Sequence, residues 1–460
     1  MPPGSNPGGF FMSEISLAPE LNNRKVVRAW YMYDWANSVY TLVITTAIFP
    51  IYYKAVAVNG NSDLVTFLGF SIQNSVLYSY ALSFSFLVVA FILPFLSGVS
   101  DYTGNKKPFM KAFVWTGSLA CMGLYFFTGV DTLWWGLTCS ILASIGYSGS
   151  LVFYDAFLPE IVTQDRLDAT SARGYSMGYY GSVILMLICL IIIMNPEAFG
   201  FGGDQPGLNA TRFTFLLVGL WWIGFSLIPF AILPDNPFNR KPSGNVWTKG
   251  YAEIRKVWHQ LKHQGNLRRY LLAFFFYNMG VQTVMYLATL FGTDVLHLEE
   301  HKLIATMVVI QLVGAFGAWL FARISGRKGN RFALVLMNGI WIGVCIAAYN
   351  IGNEYHFYIL AFIVGLIMGG IQSLSRATYS KLIPATTIDH ASYFSFYDVT
   401  YNLSIVFGTF VYGFVNQVTG SMRNSALALA VFFIIGLLIL LQVRSRNITA
   451  AVTEISSEDA

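Results

Sequence analysis

The side chains best suited to chemistry lie inside stretches that are otherwise apolar. Asp34 falls in Tyr33-Asp34-Trp35-Ala36-Asn37-Ser38, Arg376 ends Gln372-Ser373-Leu374-Ser375-Arg376, and Asp155 and Asp398 sit in two further stretches. An ionisable group in an apolar segment is costly unless paired or hydrated, so such groups mark ion paths, proton carriers or buried pairs. Asp34 is the first candidate for loading and releasing a proton. An interfacial charge is its equal alternative, because it lies only roughly 6 Å of helix rise beyond Trp30. Arg376 shares a helical face with Gln372 and could bind a solute carboxylate or pair with an acid, pairing being the simpler role. Asn37, Asn278 and Gln282, flanked by Tyr33, Tyr277 and Tyr286, offer the donors and acceptors that a zwitterion needs. Asp155 and Asp398 lie near helix ends and read as latch or packing charges.

Other chemistry is poorly supported. His297-Leu298-Glu299-Glu300-His301 fits an H-x-x-E-H zinc pattern, but it sits in a short loop with no third ligand to place. His259, His263, His356 and His390 also fall in loops, so no histidine relay crosses the chain. There is no G-x-x-x-x-G-K-[ST] phosphate loop, which argues against ATP-driven work by this chain alone. Neither a metal nor a cofactor is expected, and the chain does not read as an enzyme.

The elements that must position these residues are membrane helices. Apolar residues make up 55% of the chain and charged residues 11%, against about 25% charged in soluble domains. Mean hydropathy is +0.56. Apolar blocks long enough to cross about 30 Å of hydrocarbon fall at 30–54, 78–99, 109–129, 133–157, 172–194, 212–234, 270–293, 303–323, 332–350, 356–379, 392–416 and 425–443. The four cysteines lie in these blocks and imply no disulfide framework. The leading MPPGSNPGGFFM reads as an unstructured extension, and no cleaved signal peptide is expected.

Polar stripes with helical spacing run along four spans: Asp34, Asn37, Ser38, Thr41 and Thr45; Ser140, Ser144, Tyr147, Ser148 and Asp155; Asn278, Gln282, Tyr286, Thr289 and Thr293; and Gln372, Ser373, Arg376 and Ser380. These are spans one and four of each half, a symmetry that favours a shared cavity over simple hydrogen-bonded glue between helices. The third, sixth, ninth and twelfth spans are almost wholly apolar and are expected to face lipid.

When loops are assigned alternately to two sides, all but Lys54, Arg212, Lys302 and Arg423 of the 28 Lys and Arg fall on one side. The positive-inside rule makes that side cytoplasmic, with both termini there. The net charge of +5 is thus a topology signal, and no nucleic-acid partner is implied. The expected organisation is a tail 1–29, a six-helix bundle 30–234, a basic linker 235–269, a second bundle 270–443 and a tail 444–460. Within the linker, 248–264 reads either as an amphipathic helix on the anionic leaflet or as a solvated connection. Tyr154 through Leu158-Pro159 parallels Tyr379 through Ile383-Pro384, a weak internal repeat of the kind found in transporters that rock one half against the other.

The loop after the second span reads Gly98-Val99-Ser100-Asp101-Tyr102-Thr103-Gly104-Asn105-Lys106-Lys107. This G-x-x-D-x-x-G-x-K-K pattern resembles the loop signature of the major facilitator superfamily. That resemblance implies an all-α membrane fold of twelve transmembrane helices in two pseudo-symmetric six-helix bundles. It also implies a cytoplasmic latch of Gly98, Asp101, Gly104, Lys106 and Lys107 against the start of the eleventh span, where Asp398 sits. The counterpart loop, Arg323-Ile324-Ser325-Gly326-Arg327-Lys328-Gly329, lacks the acid.

Tyr33 to Ser38, Tyr154-Asp155-Ala156-Phe157-Leu158-Pro159-Glu160, Gly369-Gly370-Ile371-Gln372-Ser373-Leu374-Ser375-Arg376 and Phe396-Tyr397-Asp398-Val399 are similar to the autophagy-related vacuolar amino-acid effluxer family and its bacterial relatives. The resemblance implies secondary transport of a small polar solute, with proton-coupled efflux of neutral amino acids as the specific form. A sugar, peptide, nucleoside or drug as cargo, or a non-transporting membrane receptor, are the alternatives. A bacterial plasma membrane is the expected location and a vacuolar one the alternative. The expected partners are the solute, protons and the bilayer.

Overall fold

A computed structural model describes residues 20–444, apart from 59–61, 63 and 68. The two terminal tails therefore lie outside the described residues, apart from 20–29 and 444, as do the side chains of Thr289, Glu300 and His301. The chain forms α1 (Arg24–Val56), α2 (Asn74–Thr103), α3 (Lys107–Gly123), α4 (Leu133–Ala156), α5 (Leu167–Met194) and α6 (Pro206–Ile232). A linker helix, α7 (Val246–His263), precedes α8 (Gly265–Leu296), α9 (Glu300–Lys328), α10 (Asn330–Asn350), α11 (Glu354–Leu382), α12 (His390–Thr419) and α13 (Met422–Leu440). Among the described residues ten helices are long and apolar enough to span a bilayer, and α8 and α12 match them in length. A short hairpin of β1 (Leu64–Phe67) and β2 (Phe70–Gln73), paired Leu64 to Gln73, joins α1 to α2.

Twelve spanning helices thus make two six-helix bundles, the major facilitator architecture. In the first, α1 packs on α5 and α6, and α3 on α4 and α6; in the second, α8 packs on α12 and α13, and α10 on α11 and α13. The bundles meet through α2 against α12 and α5 against α9. The outer helices turn their apolar faces outward, with Leu119, Leu220, Leu336 and Leu438 exposed as lipid-facing surface.

Three local features set up the interior. Asn23 caps α1 by accepting from the amides of Lys25 and Val26. Halfway along, Tyr40–Ala47 widens into π-helix, and the Thr46 hydroxyl donates to the Thr41 carbonyl five residues back. Helices α9 and α11 approach at backbone distance. A Cβ on Gly317 would lie 1.9 Å from the Leu366 carbonyl oxygen, and one on Gly369 would lie 1.9 Å from that of Gly314. Small residues allow this contact, which seats the half of α11 that carries Arg376.

The linker does form a helix, and it buries its apolar side against the protein. Asn245 caps α7, and Gly250, Ile254, Val257 and Leu261 are buried against the protein, across α2 and α12. Trp247, Tyr251 and Trp258 are exposed, although Trp247 also stacks on Phe95 of α2. The end of the molecule bearing α7 is called the linker end below.

Candidate functional site

Arg376 stands at the meeting of the bundles and is only 1% exposed. Its Nη1 donates to Asp155 Oδ1 at 2.9 Å, its Nη2 to Asp34 Oδ2 at 3.3 Å and to the Ser171 carbonyl at 3.1 Å, and its Nε to Ser171 Oγ at 2.9 Å. The guanidinium lies over the rings of Tyr175 and Trp30, at 4.4 and 4.7 Å from their centroids. Tyr154 Oη donates to Asp34 Oδ2 at 2.6 Å, and Trp30 donates to the Tyr154 carbonyl at 3.0 Å. One cation of the second bundle is therefore held by two acids, a serine and an aromatic cage of the first. Gly174 closes the cluster, since a Cβ there would stand 2.3 Å from Asp34 Oδ2 and 3.0 Å from Arg376 Nη2.

Above the cluster a cavity of about 120 Å³ is lined from both bundles. Asp34, Ser38, Thr41 and Thr45 of α1, Ser144, Tyr147, Ser148 and Asp155 of α4, Gln282 and Tyr286 of α8, and Gln372 and Arg376 of α11 reach it. Asn37 and Asn278 do not. Asn37 is buried beside the cavity, and Asn278 donates to Ser404 Oγ at 2.6 Å while accepting from Gln282, a bond within the second bundle.

The stripes could not show what α5, α9 and α12 contribute, namely Tyr175, Tyr179, Ser182, Gln311, Tyr397, Asp398 and Tyr401. Their polar residues are spaced among aromatics and short hydroxyls, which read equally as packing. Tyr179 Oη crosses the seam to Gln372 Oε1 at 2.7 Å.

Asp398 is placed differently from its expected position in the latch. It lies two turns into α12, lines the cavity, and its Oδ2 is buried without a hydrogen-bond partner. The helix begins at His390, so the latch is met by earlier residues. Three carboxylates face the cavity region against one guanidinium, and the guanidinium is already engaged by Asp34 and Asp155. Asp398 is the acid left over.

The linker end is closed by a second set of contacts between bundles. Asp101 accepts from the amides of Ala391 and Ser392, at 3.2 and 2.6 Å, at the N-terminus of α12. Lys106 meets Glu160 at 2.5 Å, and Glu160 also takes His390 Nδ1 at 2.8 Å, so His390 is a buried helix-start residue and not a loop one. Within the first bundle, Lys107 donates to the carbonyls of Phe230 and Leu233.

Gly98 allows close approach, but to α7: a Cβ would sit 2.3 Å from the Gly250 carbonyl oxygen. Gly104 ends α2 with φ +72°. Asp389 takes Arg240 at 2.5 Å and Lys256 at 2.7 Å. Burial alone would raise its carboxyl, but these bonds and charges outweigh that and hold it below the ordinary range.

The acid missing from the second loop signature is supplied from across the seam. Asp168, at the start of α5, accepts from Ser325 Oγ, Asn330 Nδ2 and Lys381 Nζ at 2.8, 2.7 and 2.7 Å. No reading of the loop alone could reveal this, because its acid lies on another helix of the other bundle. Among the described residues no group of acids, histidines and cysteines could hold a metal ion.

Residues 22–451 match the family described as Vacuole effluxer Atg22 like. The chain is similar to the uncharacterized MFS-type transporter YxiO of Bacillus subtilis, 31% identical and covering 90% of this chain and 94% of that one. It is also similar to autophagy-related protein 22-1 of Emericella nidulans, 23% identical over 89% of this chain and 88% of that protein. Among solved structures, the fold matches the major facilitator superfamily transporter FucP in the outward conformation, with TM-score 0.69 and 12% identity, covering 92% of this chain and 98% of that one. It matches the proton:xylose symporter XylE with TM-score 0.67 and 12% identity, covering 92% and 96%.

Proposed function

From the premise that this chain belongs to the Atg22-like family of the major facilitator superfamily, and is an integral membrane protein of transporter type, we propose that it moves a small polar solute by alternating access. Neutral amino acids driven by protons are the specific cargo and coupling. The observation that carries this is the polar cavity lined from both bundles, floored by Arg376, Asp34 and Asp155 and shut at the linker end. With that end shut, a solute reaches the cavity from the opposite end, and rocking of α1–α6 against α8–α13 would reverse the access.

The roles divide by partnership. Asp34 and Asp155 hold Arg376 and so hold the floor closed. Asp398, whose Oδ2 has no donor among the described residues, is the coupling group. An ionised carboxylate without a partner is expensive in a membrane interior, so a proton or a solute ammonium neutralises it. Gln282, Gln372 and Gln311 present amides around the same space.

The linker end is assigned to the cytoplasm because the loop assignment of Lys and Arg in the sequence leaves only Lys54, Arg212, Lys302 and Arg423 for the other end. A bacterial plasma membrane is the proposed setting. A vacuole lumen is topologically outside the cytoplasm, so export from a vacuole and uptake across a plasma membrane are the same movement. The test is flux of neutral amino acids in proteoliposomes with and without an imposed pH gradient. Asp398→Asn should keep exchange of solute but lose accumulation driven by the gradient. Flux indifferent to the gradient would sink proton coupling, and flux of another solute class only would replace the cargo.

A further inference from the structure

Away from the cavity, at the linker end of the first bundle, a pocket of about 370 Å³ opens between the start of α1 and the start of α5. Arg24 and Arg28, one turn apart on α1, face Arg166 and Arg173, two turns apart at the entrance of α5. Tyr31 and Thr170 complete its wall.

The pocket is built, since the two arginine-bearing segments are tied together beneath it. The Asn22 amide donates to the Ile161 carbonyl at 2.7 Å, Asn22 Nδ2 to Thr163 Oγ1 at 3.1 Å, and the Thr163 amide returns to Asn22 Oδ1 at 3.2 Å. Yet among the described residues none of the four guanidiniums makes a hydrogen bond or ion pair, and the adjacent Asp165 does not reach them. The buried and half-buried guanidiniums are spent, Arg376 on two acids, Arg240 on Asp389, Arg212 on the Tyr125 carbonyl and Arg423 on the Ile351 carbonyl, whereas these four are exposed and, unlike the equally exposed Arg255, Arg269 and Arg327, converge on one pocket.

Four like charges brought to one concavity repel each other, and arginines one turn apart on a helix do so as well. All four are exposed, so water and salt screen part of this repulsion, and an anion seated among them removes the rest. Planar guanidinium forks match a phosphoryl group bidentately. The depth suits such a group at a bilayer surface, because half-buried Tyr31 in the pocket wall lies at the start of the span, where amphipathic aromatics mark the headgroup level.

We propose that the pocket of Arg24, Arg28, Arg166 and Arg173 binds a phosphoryl anion, carried by an anionic phospholipid headgroup or by a soluble phosphate compound. The consequence reaches the cavity, since the same helices carry Trp30 and Asp34 on α1, and Ser171 and Gly174 on α5, all in contact with or beside Arg376. An anion here braces α1 against α5 below the charge cluster. Only the headgroup source rests on the membrane reading above, and the readout is stability, so a failure of transport leaves this proposal standing.

The test compares thermal unfolding of the full chain in nanodiscs of phosphatidylcholine with nanodiscs containing added phosphatidylglycerol, and in detergent with and without inorganic phosphate. Ligand that binds the folded state raises the unfolding temperature. A rise with phosphatidylglycerol that is lost in Arg166→Gln/Arg173→Gln but kept in Lys25→Gln, an exposed neighbour outside the pocket, supports the headgroup. A rise with inorganic phosphate showing the same dependence supports the soluble compound. Should the first double variant fail to fold, Arg24→Gln/Arg28→Gln provides the same comparison from the opposite wall. No rise with either probe, or a rise undiminished in the folded double variants, overturns the proposal.

Discussion

Asp168→Ala should unlatch the linker end without unfolding the protein. The carboxylate is 6% exposed and all three of its donors, from Ser325, Asn330 and Lys381, belong to the other bundle. On the alternating-access reading those bonds exist only while this end is closed, and water replaces them when it opens. Hydrogen bonds to a charged group contribute roughly 1.5–3 kcal/mol each, but Lys381 is 19% exposed and partly screened, and water recovers much of the rest. A total of about 2–4 kcal/mol is therefore removed from the closed state, or about 30- to 700-fold in the equilibrium at about 1.4 kcal/mol per decade. Spin labels at exposed positions Gln164→Cys and Arg327→Cys straddle the seam, while the four native cysteines are buried. The variant should add a longer-distance population that the parent lacks. Asp168→Asn, which keeps an acceptor, should fall between them. An unchanged distance distribution in a folded Asp168→Ala protein would refute the argument that these bonds hold the end shut.

Gly174→Ala places a methyl 2.3 Å from Asp34 Oδ2 and should cost about 1–3 kcal/mol in unfolding free energy while lowering transport, both measurable on purified protein. Gly98→Ala pushes against the Gly250 carbonyl and should lift α7 from α2, seen as faster proteolysis within 235–264 against an unchanged rate elsewhere. The pH dependence of the Asp389 bridge has a definite sign. Its folded-state value is depressed below the ordinary carboxylate value of about 3.9, so its contribution is complete above that value and is lost only as pH falls through the depressed one. Closure measured with the same spin labels in Arg240→Gln and parent should differ throughout the neutral range and converge only in strong acid. A convergence near neutral pH would show that another group governs it.

Much of the architecture could be read from residue order, because bilayer thickness forces long apolar helices and asymmetry of Lys and Arg forces an even number of spans. The cavity was legible where a stripe had regular spacing, as with Asp34, Ser38, Thr41 and Thr45 on α1. It was illegible where aromatics and hydroxyls interleave, as with Tyr397, Asp398 and Tyr401 on α12. Depth was the main difficulty for Asp398. It lies eight positions after the first residue of α12, enough to carry a carboxylate from the latch level to the cavity. The hairpin at Leu64–Gln73 gave too short an alternation to detect, and Asp168 has no local signal at all, since its partners are 157, 162 and 213 residues away.

The two bundles thus reach one latch by different means. In the first, the loop acid Asp101 binds the amides that open α12; in the second, the loop has lost its acid and α5 returns one, Asp168, to Ser325 and Asn330. Both latches and the Arg376 cluster span the seam, so on the alternating-access reading proposed above opening the linker end would break them together. On the proposed reading that movement withdraws the Arg376 guanidinium from Asp34 and Asp155 and leaves them, with Asp398, as three carboxylates with no cation beside them among the described residues. Such a state is costly until charge is supplied, whether by protons or by a cationic group on the solute. On the proposed reading, the same residues that close the floor thereby couple its opening to what the cavity has bound, and an empty, unprotonated cavity stays shut.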